Sequence, residues 1–266
     1  MLENFFLYGP IPANAEQGTY NLSLVLVSYI VASFGAYAGL TLAVGLFNAQ
    51  TTKSKRILHW LGAFTLGSCI WSMHFIGMLA YEMHMVVDYN PWLTLLSMLI
   101  AALFAYFVLH LTQVKELTSR RLVVSAVVLG FGISAMHYTG MAAMQMQAEL
   151  RYLPLPFFIS VAIAIMASGA ALWIVFTLGQ RSGRWQIIWR MLAALVMGAA
   201  ICGMHYTGMV AAVFIPSADC CSHASHDSNL LVSAVFFFTT ILIGILAFAT
   251  WASSLLNYFD KISGNQ

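Results

Sequence analysis

A short motif with the side chains of a metal site occurs three times in this chain of 266 residues. The copies read MHFIGM, MHYTGM and MHYTGM and begin at residues 73, 136 and 204. Their histidines, His74, His137 and His205, are 63 and then 68 residues apart. Duplication of a packing motif is one explanation. Because packing does not require identical residues at the same spacing three times, the repetition favours metal binding.

Within each copy, the histidine and the second methionine are four residues apart. Residues with this spacing share one face of an α-helix, because each residue turns the helix by about 100°. Imidazole suits both oxidation states of copper and thioether sulfur favours Cu(I), whereas zinc and iron prefer imidazole, thiolate or carboxylate. The apolar segments that carry the motif contain no Asp or Glu. The sequence therefore predicts a copper site formed by His74, Met78, His137, Met141, His205 and Met209.

Several residues near these six could contact the ion or a molecule bound to it. The first methionine of each copy points about 100° away from the histidine. The tyrosines that follow two of the histidines could hydrogen-bond a coordinated imidazole or a small bound molecule, whereas Phe75 in the first copy lacks the hydroxyl. The candidates for extra ligands or for contacts around the ion are Met73, Met136, Met204, Tyr138, Tyr206, Cys202 and His84.

Each copy also has a glycine between its histidine and its second methionine. These residues are Gly77, Gly140 and Gly208. A missing side chain at this position would let another helix or a small ligand come close.

A second group of potential metal ligands lies in the polar stretch before the last apolar segment. It consists of Cys220, Cys221, His223 and His226. Such a cluster could capture a soft metal ion before the ion reaches the helices. The alternative is an exposed loop whose cysteines pair in an oxidising compartment.

The elements that carry these residues are predicted from the distribution of charge. Only 8% of the residues are charged and 61% are hydrophobic, whereas an average soluble domain has about 25% charged residues. A helix of about 20 apolar residues crosses a bilayer, and barrel strands would instead show about ten alternating residues. Seven intervals without Asp, Glu, Lys or Arg are long enough: 17–52, 57–81, 89–114, 122–148, 152–180, 191–218 and 228–259.

This pattern predicts an all-α integral membrane protein with a bundle of seven transmembrane helices. Spans one to six form three two-helix repeats, with the motif on the second helix of each repeat, and the seventh helix stands alone. The composition excludes a water-soluble fold and a disordered chain, and a net charge of +2 excludes a nucleic-acid binder. We expect no enzymatic activity in this segment, because its spans offer no carboxylate as acid or base.

Charge also predicts the orientation of the bundle. Ten of the eleven basic residues lie on one side, with Arg151 the exception, and seven of the nine acidic residues lie on the other. The positive-inside rule then places the N-terminus outside and the C-terminus in the cytoplasm. This divides the chain into an extracytoplasmic segment (1–19), a seven-helix domain (20–256) and a cytoplasmic tail (257–266). The histidines would share one level, roughly 22–27 Å from the cytoplasmic boundary.

The threefold motif resembles that of the MHYT family of bacterial membrane sensor domains. Two copies contain these letters, at residues 136–139 and 204–207, and the first copy departs from them with MHFI. The resemblance covers about residues 20–256. It implies a multi-pass protein of the bacterial inner membrane that binds copper, as Cu(I) or Cu(II), near the outer face. It further implies that the protein senses oxygen, carbon monoxide, nitric oxide or a redox state.

The resemblance also implies partners besides the lipid bilayer. Members of the family usually carry cytoplasmic GGDEF and EAL domains, which make or degrade cyclic di-GMP. The tail would then link to such an output domain, in cis or in trans, and the last helix, Leu230 to Leu256, would carry the signal inward. Diguanylate cyclase or phosphodiesterase activity would belong to the full-length protein. A second copy of the chain is a further candidate partner.

Two other functions fit part of the sequence. In a haem protein, two of the three histidines would be axial ligands, but the third motif and the recurrent methionines would have no role. In a copper transporter, metal-binding groups should continue through the bundle, and the predicted cytoplasmic half has few. A retinal protein is set aside, because the last span, residues 228–259, has no lysine.

Overall fold

The structure, a computed structural model, describes residues 5–48, 51–111, 118–179 and 185–216. Within these ranges it contains six helices that are long and apolar enough to cross a membrane. The predicted seventh helix, the tail 257–266 and the cluster of Cys220, Cys221, His223 and His226 lie outside the described residues. The helices are α1 (Leu22–Asn48), α2 (Thr52–Leu79), α3 (Pro91–Leu111), α4 (Ser119–Ala142), α5 (Pro154–Gly179) and α6 (Gln186–Ala211).

Polar caps and prolines determine where three of the helices begin. Asn21 before α1 and Asn90 before α3 each accept hydrogen bonds from two backbone N–H groups through the side-chain oxygen, at 3.0–3.4 Å. These caps satisfy donors that have no partner within the helix. Helices α3 and α5 start at Pro91 and Pro154. Proline fits the first helical position because it has no N–H that needs a partner there.

The six helices form a closed circle. Each helix packs against the next helix in the sequence, and α6 packs against α1. Helix α2 also contacts α4 and α6 across the interior. The three helices that carry the motif therefore alternate with the other three and approach one another inside the circle.

Three antiparallel strand pairs close one end of the circle. Each pair joins the segment before one helix to the segment after the next helix, so α1–α2, α3–α4 and α5–α6 are units of the same design. No strand was expected, because strands of two to five residues are too short to show an alternating pattern. The pairs are β1 (Thr19–Tyr20) with β2 (Tyr81–Glu82), β3 (Asp88–Tyr89) with β4 (Met144–Gln145), and β5 (Ala148–Tyr152) with β6 (Ala212–Pro216).

The two ends of the bundle differ in charge and in structure. The end with the strand pairs, where α2, α4 and α6 terminate, is called the motif end here. A backbone hydrogen bond of 2.8 Å recurs there in each unit: Asn21 N to Ala80 O, Asn90 N to Ala143 O, and Leu153 N to Ala211 O. The opposite end is called the basic end, because the first five residues of α2, α4 and α6 there include Lys53, Lys55, Arg56, Arg120, Arg121 and Arg190.

Glycine permits close helix contact seven residues before each motif histidine. An added Cβ at Gly130 would lie 2.6 Å from the Cα of Ile165 in α5. At the equivalent positions in α2 and α6 it would meet the backbone of Ala102 in α3 or of Ser33 in α1. Small residues at helix interfaces allow such contact in membrane proteins. The glycines are Gly67, Gly130 and Gly198.

We expect Gly130→Ala to destabilise the bundle, because the backbone of Ile165 cannot move aside without separating α4 from α5. The free energy of unfolding should fall by about 1–3 kcal/mol, the usual cost of overpacking. Gly203→Ala is the matched control in α6, since an added Cβ there meets no atom within 4 Å. Thermal unfolding in one detergent compares the two variants. Equal midpoints for both would contradict the role assigned to Gly130.

Candidate metal centre

The three motif histidines meet in the interior of the bundle. Their Nδ1 atoms are 3.0 Å apart for His74 and His137, 3.1 Å for His74 and His205, and 3.3 Å for His137 and His205. Each residue is at most 1% exposed. The imidazole centroids are 4.8–5.1 Å apart and the rings are nearly perpendicular. Three helices thus direct one nitrogen each towards a common point.

Each imidazole ring packs against the glycine of another copy of the motif. An added Cβ at that glycine would overlap with Nε2 of the histidine. The group that approaches each glycine is therefore a histidine from another helix, one of the two possibilities that the sequence left open. The contacts form a cycle: His74 with Gly140, His137 with Gly208, and His205 with Gly77.

The three Nδ1 atoms cannot all satisfy one another. A nitrogen of a neutral imidazole either carries a hydrogen or presents a lone pair. Among three such atoms at least two are in the same state, so at least one of the contacts of 3.0–3.3 Å joins two lone pairs or two N–H groups. A cation at the centre removes this conflict, because all three nitrogens can then present lone pairs to it. The Nε2 atoms of His74 and His137 are buried and have no hydrogen-bond partner in the described part of the chain.

The space between the nitrogens has nearly the size that a coordinated ion needs. A point equidistant from three atoms that are 3.0–3.3 Å apart lies about 1.8 Å from each, and metal–imidazole bonds of about 2.0 Å are typical. Small outward movements of the imidazole rings would reach that length. Within the described ranges, no carboxylate or thiol belongs to the group. The donor set is therefore neutral and composed of nitrogen.

The motif methionines are buried in the same part of the bundle. Met78, Met141 and Met209 lie one helical turn beyond the histidines and are 0–4% exposed. All three belong to one cluster of buried apolar residues. Their placement leaves three thioethers in the interior at the level next to the histidines. The first methionines of the motifs are also buried: Met73, Met136 and Met204.

The tyrosine hydroxyls contact serines of neighbouring helices instead of the histidines. The hydroxyl of Tyr138 lies 2.6 Å from Oγ of Ser160 in α5, and that of Tyr206 lies 2.8 Å from Oγ of Ser28 in α1. Both serine hydroxyls donate to a backbone carbonyl three residues earlier, at 2.7 Å. The tyrosines must therefore be the donors. Only the edges or faces of their aromatic rings contact the adjacent imidazoles, at centroid distances of 4.7 and 4.9 Å.

The first copy makes an equivalent link with a different residue. Phe75 has no hydroxyl, but Nε1 of Trp71, one turn earlier in α2, donates to Oγ of Ser97 in α3 at 3.0 Å. Ser97 also donates to a carbonyl three residues earlier, at 2.7 Å. The departure of this copy from the tyrosine pattern is thus compensated in the structure. One aromatic donor and one buried serine join α2 to α3, α4 to α5, and α6 to α1.

Two of the additional candidate residues lie outside the histidine group. Nδ1 of His84 is 2.9 Å from a carboxylate oxygen of Glu16, and the His84 side chain is 83% exposed. Cys202 is buried with a free thiol, but it is not among the ligand atoms that converge on the centre.

Two sets of positioning residues were missed by the sequence reasoning. The glycine seven residues before each histidine is visible in the sequence and could have been found by aligning the three copies further upstream. The serines occupy the seventh position from Leu22, Pro91 and Pro154, where α1, α3 and α5 begin. Serine is common in apolar helices, so its spacing alone would not have identified these links.

Comparison with known proteins identifies relatives for most of the chain. The profile of the MHYT family, described as an N-terminal repeat of bacterial signalling proteins, matches residues 67–125 and 130–188. The bifunctional diguanylate cyclase/cyclic di-GMP phosphodiesterase MucR of Pseudomonas aeruginosa is 45% identical over 231 residues, which are 85% of this chain and 33% of MucR. No solved structure matches the chain.

Two further relatives show the same partial coverage. The cyclic di-GMP phosphodiesterase NbdA of Pseudomonas aeruginosa is 39% identical over 73% of this chain and 25% of its own length. The signaling protein YkoW of Bacillus subtilis is 38% identical over 74% of this chain and 24% of its own length. The chain therefore spans at most about a third of the length of these relatives.

We expect the link between α4 and α5 to appear as coupling in a double-mutant cycle of Tyr138→Phe and Ser160→Ala. The two changes should couple by about 1 kcal/mol in the free energy of unfolding, the usual value for such a hydrogen bond. Tyr138→Phe combined with Ser28→Ala is the control, because Ser28 belongs to the link between α6 and α1. Additive effects of Tyr138→Phe and Ser160→Ala would contradict the link.

Proposed function

Residues 67–188 of this chain belong to the MHYT family, and we propose that the chain is the membrane sensory part of a bacterial signalling protein in which the three central histidines hold copper. The observation that carries this proposal is the convergence of three buried Nδ1 atoms within 3.3 Å of one another.

The donor set fits a soft cation of low charge. Three neutral imidazoles neutralise no charge, so a monovalent ion has a lower desolvation cost in this apolar interior than a divalent one. Thioethers favour Cu(I), and Met78, Met141 and Met209 are buried one turn from the histidines. His74, His137 and His205 would hold the ion, and these methionines would supply further ligands. Copper would contribute affinity for oxygen, carbon monoxide or nitric oxide, or a one-electron redox change.

The spacing of the histidines favours a bare ion over haem. Two axial ligands of haem have the whole macrocycle between them, whereas these imidazole centroids are 4.8–5.1 Å apart and all three nitrogens face one point.

The packing on the basic side of the histidines favours a sensor over a transporter. A cavity of about 40 Å³ on that side is lined by glycine, aliphatic residues and Met197. The thioether of Met197 is the only side-chain group in this lining that contains nitrogen, oxygen or sulfur.

The links between helices suggest how binding would be transmitted. Each histidine-bearing helix is joined to a neighbour by an aromatic donor and a serine, adjacent to or one turn from its histidine. Suppose that the circle can adopt two packings with different spacings of the histidines. A ligand that binds one of them more tightly than the other would shift the whole circle towards that packing. The basic end would face the cytoplasm of a bacterial inner membrane, and the predicted last helix, Leu230 to Leu256, would carry the signal inward.

The relatives suggest the output of this signal. MucR is named as a diguanylate cyclase and cyclic di-GMP phosphodiesterase, and NbdA as a cyclic di-GMP phosphodiesterase. We propose that this chain regulates an output domain of that kind, in the same polypeptide or in a separate one. The sensory segment itself would bind and transmit without catalysing a reaction.

The copper proposal predicts that the purified protein retains copper and loses it in a variant with His74, His137 and His205 all changed to Ala. The measurement is metal content per chain after anaerobic incubation with Cu(I). His84→Ala combined with His110→Ala is the control, because both residues are exposed and neither belongs to the central group. Equal copper in the triple variant and the control would contradict the proposal, as would a haem spectrum in the purified protein.

A second variant keeps the experiment informative if the triple variant fails to fold. Gly140→Ala retains every proposed ligand, but its Cβ would displace the imidazole of His74. We expect weaker Cu(I) affinity with the normal set of ligands still present. Unchanged affinity in a folded Gly140→Ala protein would contradict a site that depends on the position of His74.

A further inference from the structure

A pocket of about 300 Å³ opens at the motif end beside α6. The N-terminal segment, residues 11 and 15–18, forms its roof, and the last turn of α6 forms its floor. Tyr20 and Tyr81 line one wall, and the start of β6 lines another. The pocket thus lies between the surface of the motif end and the interior of the bundle.

The floor of this pocket adjoins the histidine group. Met209 lines the pocket and lies four residues after His205, on the same face of α6. The preceding residue, Gly208, packs against Nε2 of His137. The last turn of α6 therefore includes both residues that line the pocket and a residue that contacts the histidine group.

The groups that line the pocket suit a cation. Glu16 lines the pocket, and Oε1 of its carboxylate lies 2.9 Å from both the backbone N and Nδ1 of His84. The hydrogen bond from the backbone N–H of His84, and next that with its imidazole, hold the pKa of the Glu16 carboxyl below its usual value. Glu16 therefore stays negative at neutral pH. The aromatic faces of Tyr20 and Tyr81 attract cations, and the thioether of Met209 is a ligand for Cu(I).

The N-terminal segment that forms the roof is tied to two of the three helix units, so the pocket is a fixed part of the fold. The backbone N–H groups of Leu7, earlier in the chain, and of Glu16 donate to the carbonyls of Tyr152 and Phe214 in the α5–α6 unit, at 2.9 and 2.8 Å. The N–H of Gly18 donates to the hydroxyl of Tyr81 in the α1–α2 unit at 2.9 Å. Strand β1 pairs with β2 immediately after this segment. These bonds hold Glu16 over the end of α6.

We infer that this pocket is the entry port through which Cu(I) reaches the three histidines, with Glu16 attracting the cation and Met209 receiving it before His205. The inference rests on the proposed copper site, but it concerns how the ion arrives and not whether it binds. It assigns to the N-terminal segment a role in metal delivery. It also separates the role of Met209 from those of Met78 and Met141.

The direct test fills the pocket without changing any proposed ligand. Ala15 lines the pocket, whereas Ala13, two residues earlier, is exposed and does not line it. We expect Ala15→Trp to slow the loading of Cu(I) from a chromophoric chelator several-fold, with the same final copper content as the unchanged protein. Ala13→Trp should load at the normal rate. The rate and the final content are followed anaerobically on the full chain in detergent.

A second variant tests the attraction of the cation. Glu16→Gln keeps an oxygen that can accept the hydrogen bonds of His84 but removes the charge. We expect loading to slow by about two- to tenfold at low salt, and the difference to vanish at high salt, because electrostatic steering is screened. Glu149→Gln, which removes an exposed acidic residue outside the pocket lining, should have little effect.

The outcomes separate this inference from the copper proposal. Normal final copper with slow loading in Ala15→Trp and Glu16→Gln supports the port. Normal loading in both variants overturns the port and leaves the copper site standing. An unchanged protein that takes up no Cu(I) at all overturns both.

Discussion

The structure depends on one unfavourable arrangement, three imidazole nitrogens that face one another within 3.3 Å in a buried apolar interior. Without a cation, at least one of the three contacts is repulsive, and water does not screen it. Such an arrangement persists only where the surrounding packing imposes it. Three features fix the histidine-bearing helices at this spacing. They are the glycines that contact the imidazole rings, the close helix contacts at the glycines seven residues before the histidines, and the hydrogen bonds from aromatic side chains to serines of neighbouring helices.

Threefold repetition explains how a single chain builds such a centre. Each motif-bearing helix directs one imidazole nitrogen at the centre of the bundle, so three equivalent helices supply the three nitrogens. In each unit, a strand pair and a 2.8 Å backbone bond fix the depth of the histidine at the motif end. A glycine seven residues before the histidine fixes the distance to the next helix. Duplication of one unit therefore repeats both the ligand and the groups that position it.

The sequence was informative where one residue type at one spacing determines the outcome. The apolar intervals predicted the six described spans, and the motif predicted which histidines share a level. The sequence was uninformative where a contact depends on two helices that are distant along the chain. The hydroxyls of Tyr138 and Tyr206 bind serines because α5 and α1 lie beside them, and Trp71 replaces the missing hydroxyl of Phe75 through a serine in α3. His84 pairs with Glu16 across 68 residues, a contact that neither residue reveals alone.

The most direct test of this account is the X-ray absorption spectrum of the protein loaded with Cu(I). The geometry predicts three nitrogen neighbours at about 2.0 Å, with the outer-shell scattering of imidazole rings. A methionine sulfur would appear in addition to these nitrogens and not in their place. A first shell made of sulfur alone, or one without imidazole scattering, would contradict the assignment of His74, His137 and His205 as the metal site.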